Sequence, residues 1–544
     1  MERDFLSRYG VYQIYPMSFC DANGDGKGDI PGILSKLDYL QSLGVRVIWF
    51  SPLYPSPMWD MGYDIADYYD INPIFGTMAD FDLLMEETKR RGMRVIMDLV
   101  VNHTSDQHPW FLEALRNPDS KYRDYYIFRK GKGKNGRKPP NNWTSTFFGS
   151  AWKEVPEEQG TFYLHLYSEH QPDLNWHNEA VYQEVKKIVE YWMDKGVYGF
   201  RCDVISEIYK ESLEDGKRGM PGRPTGFEHY IATPGCHRIL KRLRKEVIEP
   251  RHGVLIGECY GVERDQAAAF LDDELDTLFG FEITDPGIFK KTMASERFRQ
   301  ILMSWQKLEC NGNYLENHDQ HRAIGKYVRE GHFEKEGGKM LIALLCSLKG
   351  VPFFFQGQEI GMKDYRHLSL EESHDAVAHF LDGMLKHYWM PKPLRRWFAR
   401  KYGRDDARCP MPFLPESGHG FTSSSVEPWQ KFNELSSRIN VALEEKDETS
   451  ILHFFRRCLR LRQVDDVLSL GNIRFLPSDE EVLLFLRERK GAKRLCVFNL
   501  SDKEKPIPSL VRANTTKTLL LSNYLHGKKE ESLLPYEFGI YAIK

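Results

Sequence analysis

No run of about 18 apolar residues occurs in the 544-residue chain, so no membrane-spanning helix is expected. The start, Met1-Glu2-Arg3-Asp4, lacks a basic-then-apolar lead, so no secretory signal is expected. Charge of one sign is not in excess either: 75 Lys and Arg face 78 Asp and Glu, a net charge of -3. That removes the electrostatic case for a nucleic-acid or anionic-membrane partner. Paired cysteine spacing is also missing. The nine cysteines (20, 202, 236, 259, 310, 346, 409, 458 and 496) form no CxxC, and their number is odd. Cys202 and Cys259 adjoin candidate catalytic acids, where a disulfide would distort the site. The thiols are therefore read as reduced and the protein as cytoplasmic. No internal repeat or low-complexity tract stands out, and the sequence leaves the oligomeric state open, a monomer included.

What is present is an ordinary globular composition, 41% hydrophobic and 13% aromatic, in a chain long enough for two or three domains. The stretch Gly199-Phe200-Arg201-Cys202-Asp203-Val204 follows a helical stripe (Val185, Ile188, Val189, Trp192) that stops at Gly196. It reads as a short buried strand, Val197 to Phe200, ending in an arginine and an aspartate. With a strand period of two, Arg201 and Asp203 share one side. The cation is expected to hold the carboxylate ionised, which suits a nucleophile. A structural ion pair at a strand end is the alternative.

The pattern alternates strand and helix. Strand candidates are Val11 to Tyr15, Val45 to Phe50, Arg94 to Val101, the strand before Asp203, Val254 to Ile256, Thr277 to Phe281, Asn313 to Leu315 and Val351 to Phe355. Helical stripes lie between, one over Ile30 to Leu40 stopped by Gly44, another opened by a Thr77/Asp80 capping box. Eight strands in this order predict an α/β fold, a (β/α)8 barrel. The alternation breaks over 103–171, read as a loop-rich domain inserted after the third strand, with the barrel covering 1–102 and 172–465. Its basic loop Arg129 to Pro140 lacks the P-loop order and reads as solvated. Over 364–448 periodicity is poor, which suggests long loops across the site mouth, before a last barrel helix from Ser450 to Leu461. Over 466–544 short apolar runs between polar turns predict a small antiparallel β domain, sandwich-like.

In Asp21-Ala22-Asn23-Gly24-Asp25-Gly26-Lys27-Gly28-Asp29, oxygen side chains recur at alternate residues with glycines between. Asp21, Asn23, Asp25, Asp29 and the Lys27 carbonyl could wrap one structural Ca²⁺, or Mg²⁺ with more water. The alternative is an Asn/Gly-rich surface turn. No organic cofactor is expected. Carboxylates stand out at strand ends: Asp203, Glu258 in Ile256-Gly257-Glu258-Cys259, and Asp319 in Asn317-His318-Asp319, with Asp98, Asn102 and His103 beside them. Two carboxyls flanking a glycosidic bond are what glycoside hydrolysis requires. Neighbouring histidines and arginines can bind hydroxyls, and Tyr63 and Phe147 can stack on a pyranose.

These segments resemble glycoside hydrolase family 13, the α-amylase family, and within it the oligo-1,6-glucosidase group. The resemblance runs through Asp98 to His103, Gly199 to Val204, Gly257-Glu258, Asn317 to Asp319, Gln171-Pro172-Asp173-Leu174-Asn175 and Met61 to Ile65. It implies Asp203 as nucleophile, Glu258 as general acid/base and Asp319 as transition-state stabiliser. It further implies that His103, Arg201 and His318 line the glucose subsite, that Asp60 and Arg322 grip the non-reducing end, and that Tyr63 and Phe147 pack the ring. Val204 resembles members acting on α-1,6 bonds. The implied activity is retaining, exo-acting release of glucose from isomaltose, isomalto-oligosaccharides or dextran ends, with a small oligosaccharide as partner. Trehalose-6-phosphate hydrolase, sucrose- or α-1,4-acting and transglucosylating relatives are alternatives. Non-catalytic transporter heavy chains lose the acids and carry a membrane span, unlike this chain. Departures are Cys202, Ser206, His321 and Pro412-Phe413.

Overall fold

Eight short apolar runs become eight parallel strands closed into a barrel: Val11–Ile14, Val47–Phe50, Arg94–Leu99, Gly199–Cys202, Val254–Glu258, Thr277–Phe279, Asn311–Asn313 and Val351–Phe355. The computed structural model describes residues 2–217, 223–284, 293–365, 369–513, 516–524 and 531–544. The first strand pairs with the eighth (Val11 with Phe353), which closes the ring. The seventh strand starts two residues earlier than its apolar run suggests. Its residues are Asn-Gly-Asn, and most of their amide groups are paired inside the wall: Gln306 and Asn311 both donate to Asn313 Oδ1, and Asn313 donates to the Lys349 carbonyl, while Asn311 Oδ1 is buried without a partner among the described residues.

Inward side chains of the lower barrel, among them Val11, Val47, Trp49, Ile96, Val254, Ile256 and Phe353, form one buried plug closed from below by Leu6 of the N-terminal helix Glu2–Tyr9. The plug fills the barrel, so chemistry is confined to the strands' C-terminal ends. Helix Met78–Arg90 carries the expected capping box, with Thr77 and Asp80 satisfying each other's backbone N–H groups. The stripe from Ile30 divides at Lys36 into Ile30–Ser35 and Leu37–Leu43, the second stopped by Gly44 at φ 89°. Ser450 caps the helix Ile451–Val464.

Between the third and fourth strands lie the helix Pro109–Arg116 and a three-stranded antiparallel sheet, in the order Phe128–Lys130, Thr161–Leu164, Trp152–Glu154. The expected long loops over 364–448 need correcting. Two helices, Ala376–His387 and Lys392–Tyr402, form a hairpin there. The first buries only Ala378 and Leu381 and the second only Ala399, so their aromatic residues do not mark a core face.

The C-terminal part is one five-stranded antiparallel sheet, ordered Asn472–Phe475, Val482–Arg489, Ala492–Asn499, Phe538–Ile543, Thr518–Ser522. Strand alternation splits its faces. Leu483, Phe485, Cys496, Phe498 and Phe538 join the barrel's outer core, while Val482, Leu484, Leu495 and Val497 pack on Val511 and Leu533. The second layer of the expected sandwich is a two-stranded ribbon, Lys505–Pro506 with Ser532–Leu533. Among the described residues, no helix is long and apolar enough to cross a membrane. All nine cysteines are buried and unpaired.

Candidate active site

Asp98 ends the third barrel strand, Arg201 the fourth and Glu258 the fifth, and register sets Asp98 opposite Arg201. The Arg201 guanidinium is buried in the barrel mouth, 5.3 Å from the centre of the Trp49 ring. Its Nη1 lies 3.0 Å from Asp98 Oδ1 and 2.5 Å from Asp203 Oδ1, and its Nη2 lies 2.6 Å from Glu258 Oε2. One cation thus serves three carboxyls from three strands, a role suited to the planar fork of arginine. Asp203 and Glu258 also hydrogen-bond each other. Both are drawn onto the same guanidinium.

Arg201 does not dominate Asp203 as the sequence suggests. Burial pushes the Asp203 carboxyl well above the usual range, Glu258 and Asp98 push it the same way, and Arg201 only opposes them. Asp98 is raised by burial as well. Asp319 goes the other way. Burial would raise it, but His318, Arg404 and Arg408 together hold it well below the carboxylate range. One barrel mouth therefore holds acids whose surroundings shift them in opposite directions, Asp203 and Asp98 upward and Asp319 downward.

Val204 is no ordinary strand residue. It follows the strand at φ 37° and ψ 38°, a left-handed conformation rare for a β-branched side chain. There its backbone N–H donates to Glu258 Oε2 at 3.1 Å. The strained turn thus aims an amide at the candidate acid/base.

His318 Nδ1 lies 2.7 Å from the Gln13 amide nitrogen, which donates to it and leaves the ring proton on Nε2. Nε2 lies 2.6 Å from Tyr63 Oη and 3.0 Å from Asp319 Oδ2. The Tyr63 ring stacks on His318 at 5.5 Å, and its hydroxyl donates to Asp98. His103 is buried and kept neutral by burial, within 3.1 Å of both the Tyr63 carbonyl and the Gln171 amide. Gln171 also donates to Asp60. Asp60, Tyr63, His103, Phe147, Arg201, Val204 and His318 are thus linked by contacts into one cluster with the three acids.

Arg322 is the exception. Its guanidinium is fully buried, with Nε and Nη1 on Glu316 and on the carbonyls of Gln356 and Ala407 and Nη2 without a hydrogen-bond partner among the described residues, so none of these bonds reaches Asp60. Asp60 is gripped instead by Arg404, whose Nη2 lies 2.8 Å from Asp60 Oδ1 and whose Nη1 lies 3.2 Å from Asp319 Oδ1. Asp375 anchors Arg404 at 2.7 Å, and Phe147 covers it at 5.8 Å. Arg408 adds a contact to Asp319 at 2.9 Å. Sequence reasoning missed both arginines because they lie in the aperiodic 364–448 stretch. The run Arg404-Asp405-Asp406-Ala407-Arg408 was the available signal, since charges so dense beside Cys409 and Met411 must be buried in pairs. Tyr167 was missed too. Its ring packs edge-on to Phe147 at 5.5 Å, and its hydroxyl donates to buried Glu207, whose carboxyl burial pushes up to about 8.

The Asp21–Asp29 loop lies apart from these acids. Asp21 accepts from the backbone N–H groups of Gly24 and Gly26, Asn23 from Asp25, Asp25 from Lys27, and Asp29 from Asn23 and Gly32. Among the described residues, no three His, Cys, Asp or Glu side chains converge as a metal site. A cation there would have to draw on Asn23 and backbone carbonyls as well, a donor set that fits only a hard ion. In the basic loop, Lys132 pairs with Asp215 at 3.0 Å.

Three comparisons bear on this geometry. The model of the alpha amylase catalytic domain matches residues 13–471. The oligo-1,6-glucosidase of Parageobacillus thermoglucosidasius is 40% identical over 569 residues, covering 100% of both chains. The trehalose-6-phosphate hydrolase of Escherichia coli is 36% identical over 510 residues, covering 91% of each. The crystal structure of the Bacillus licheniformis trehalose-6-phosphate hydrolase superposes with a TM-score of 0.90 at 33% identity, covering 99% of this chain and 100% of that one.

Proposed function

The chain belongs to the alpha-amylase family of glycoside hydrolases, and from that membership we propose a retaining, exo-acting α-glucosidase that releases terminal α-1,6-linked glucose from short isomalto-oligosaccharides. The observation that carries the reading is the meeting of Asp203 and Glu258 on one guanidinium, across a pocket wall that holds Asp319. Asp203 attacks the anomeric carbon as Glu258 gives its proton to the departing oxygen, forming a glucosyl–Asp203 ester. Glu258 then takes a proton from water, which attacks the ester and frees Asp203. The pair needs one proton between them in the resting state, so rate should fall on both sides of a pH optimum. Asp319, held ionised, faces the charge that develops on the ring.

The exo reading is supported by Arg404, which ties Asp60 to Asp319 at the glucose end of the pocket. The α-1,6 preference is supported by Val204, whose branched side chain is fixed beside the leaving group by its left-handed backbone. Initial rates on isomaltose, maltose, sucrose and trehalose 6-phosphate test this, with isomaltose expected fastest. A preference for maltose or trehalose 6-phosphate overturns it. Asp203→Asn is expected to lose about 10⁴-fold or more in turnover while its melting temperature stays at or above wild type.

A structural Ca²⁺ or Mg²⁺ at Asp21–Asp29 is part of the proposal, supported by the alternating oxygens. Adding Ca²⁺ to chelator-treated protein should raise its melting temperature, and no shift would remove the metal. A cytoplasmic location is supported by nine buried, unpaired thiols.

A further inference from the structure

Beside the catalytic pocket, a cavity of 890 Å³ opens between the short helix Ala323–Tyr327 and the second helix of the hairpin, Lys392–Tyr402. Five cations line it: Lys326, Lys392, Arg396, Arg400 and Lys401. Among the described residues, the acids Asp364, Asp406 and Glu371 lie near them. Asp364 is engaged by His321 and by the Arg322 backbone N–H, and Asp406 is pushed up to about 7 by burial and by Asp364. Glu371 pairs with Arg396 and lies within the field of Lys392. Lys392, Arg396 and Arg400 thus line one side of the cavity, on a chain whose net charge is -3.

Helix stability does not account for this row. Lys392, Arg396 and Arg400 stand four residues apart, so like charges stack along one face, which costs stability. Lys392 also begins the helix, where the macrodipole disfavours a cation. Trp397 lies in the same wall, 52% exposed, with the Lys401 ammonium 4.9 Å over its ring. Guanidinium forks beside an exposed indole match an oxyanion joined to a sugar ring. The cavity lies near the catalytic centre in the chain: His321, in its wall, is two residues from Asp319, at most about 7 Å along the backbone.

We propose that this cavity binds a sugar phosphate, with Lys392, Arg396 and Arg400 on the phosphate and Trp397 under the ring. The phosphate could belong to the leaving-group sugar of a substrate or to a free sugar phosphate. Titration calorimetry of the full chain with glucose 6-phosphate tests the site, with glucose as the neutral control. Binding is expected for glucose 6-phosphate, weakened by salt, weakened about tenfold or more in Lys392→Gln/Arg400→Gln, and retained in Lys392→Arg/Arg400→Lys. No binding, binding equal to that of glucose, or binding unchanged in the glutamine variant would overturn the proposal. Two assays then assign the source. Slower cleavage of trehalose 6-phosphate by the glutamine variant places the phosphate on substrate. A glucose 6-phosphate effect on isomaltose cleavage that the variant loses places it on a free ligand. Only these assays rest on the glucosidase reading, and the calorimetry stands without it.

Discussion

Asp203 shows how little of a side chain's chemistry follows from its nearest neighbour in sequence. Arg201 is two residues away and 2.5 Å distant, yet burial and two more acids outweigh it. Glu207 is a cleaner case. Its carboxyl lies fully buried, with Tyr167 as hydroxyl donor, and burial pushes it up to about 8. A raised acid pKa means the folded state keeps its proton when the unfolded state has lost it. Glu207 therefore costs nothing below about pH 4.5, and its penalty grows as pH rises to about 8. Glu207→Gln keeps an acceptor for Tyr167 and removes the penalty. Melting curves should coincide near pH 4.5 and favour the variant near pH 8; a constant offset would contradict the buried neutral acid. Arg404→Lys should keep the charge but lose the fork shared by Asp60, Asp319 and Asp375, lowering kcat/KM about 100-fold with an unchanged melting temperature. Asp203 and Glu258 were legible because each stands at the end of a strand, and Asp319 and the histidines because they follow a strand within a few residues. Arg404 was not, because only three-dimensional packing brings it within 2.8 Å of Asp60.

Barrel strands were legible as elements because burial on both faces leaves continuous apolar runs, as in Val-Pro-Phe-Phe-Phe at 351–355. The strand Asn472–Phe475 was not, since it lies at a sheet edge with Asn472 and Arg474 exposed. The hairpin helices were hidden for a related reason. Their exposed aromatics, Trp389 at 94% and Trp397 at 52%, blur the stripe that marks a packed helix. Such a hairpin, with so little buried, draws its order from local propensity. Gly383 stands inside Ala376–His387, where an added Cβ meets nothing within 4 Å. Gly383→Ala should therefore stabilise the hairpin by about 0.5–1 kcal/mol. Hydrogen exchange should slow over 376–402 and stay unchanged in the barrel; slowing spread over the whole chain would contradict an independent hairpin.

Two buried arginines fasten the region where the barrel meets the C-terminal sheet, adding to apolar contact. Arg462 places its guanidinium on the carbonyls of Ser7, Cys346, Leu348, Gly350 and Leu468. It thereby links the N-terminal helix, the end of helix Glu334–Ser347 and the entry to the eighth strand. Arg487, in the second strand of the C-terminal sheet, donates to Ser347 and Gly471. Both cations satisfy carbonyls that no water reaches, so truncation leaves those carbonyls unpaired. Arg462→Met and Arg487→Met should each lower stability by about 2–4 kcal/mol, read as a fall in melting temperature. Because both hold the same helix end around Ser347, the double variant should lose less than the two losses added. Calorimetric unfolding of the four proteins checks this. Strict additivity would mean that the sheet and the barrel wall are fastened independently, and that the shared helix end carries no load between them.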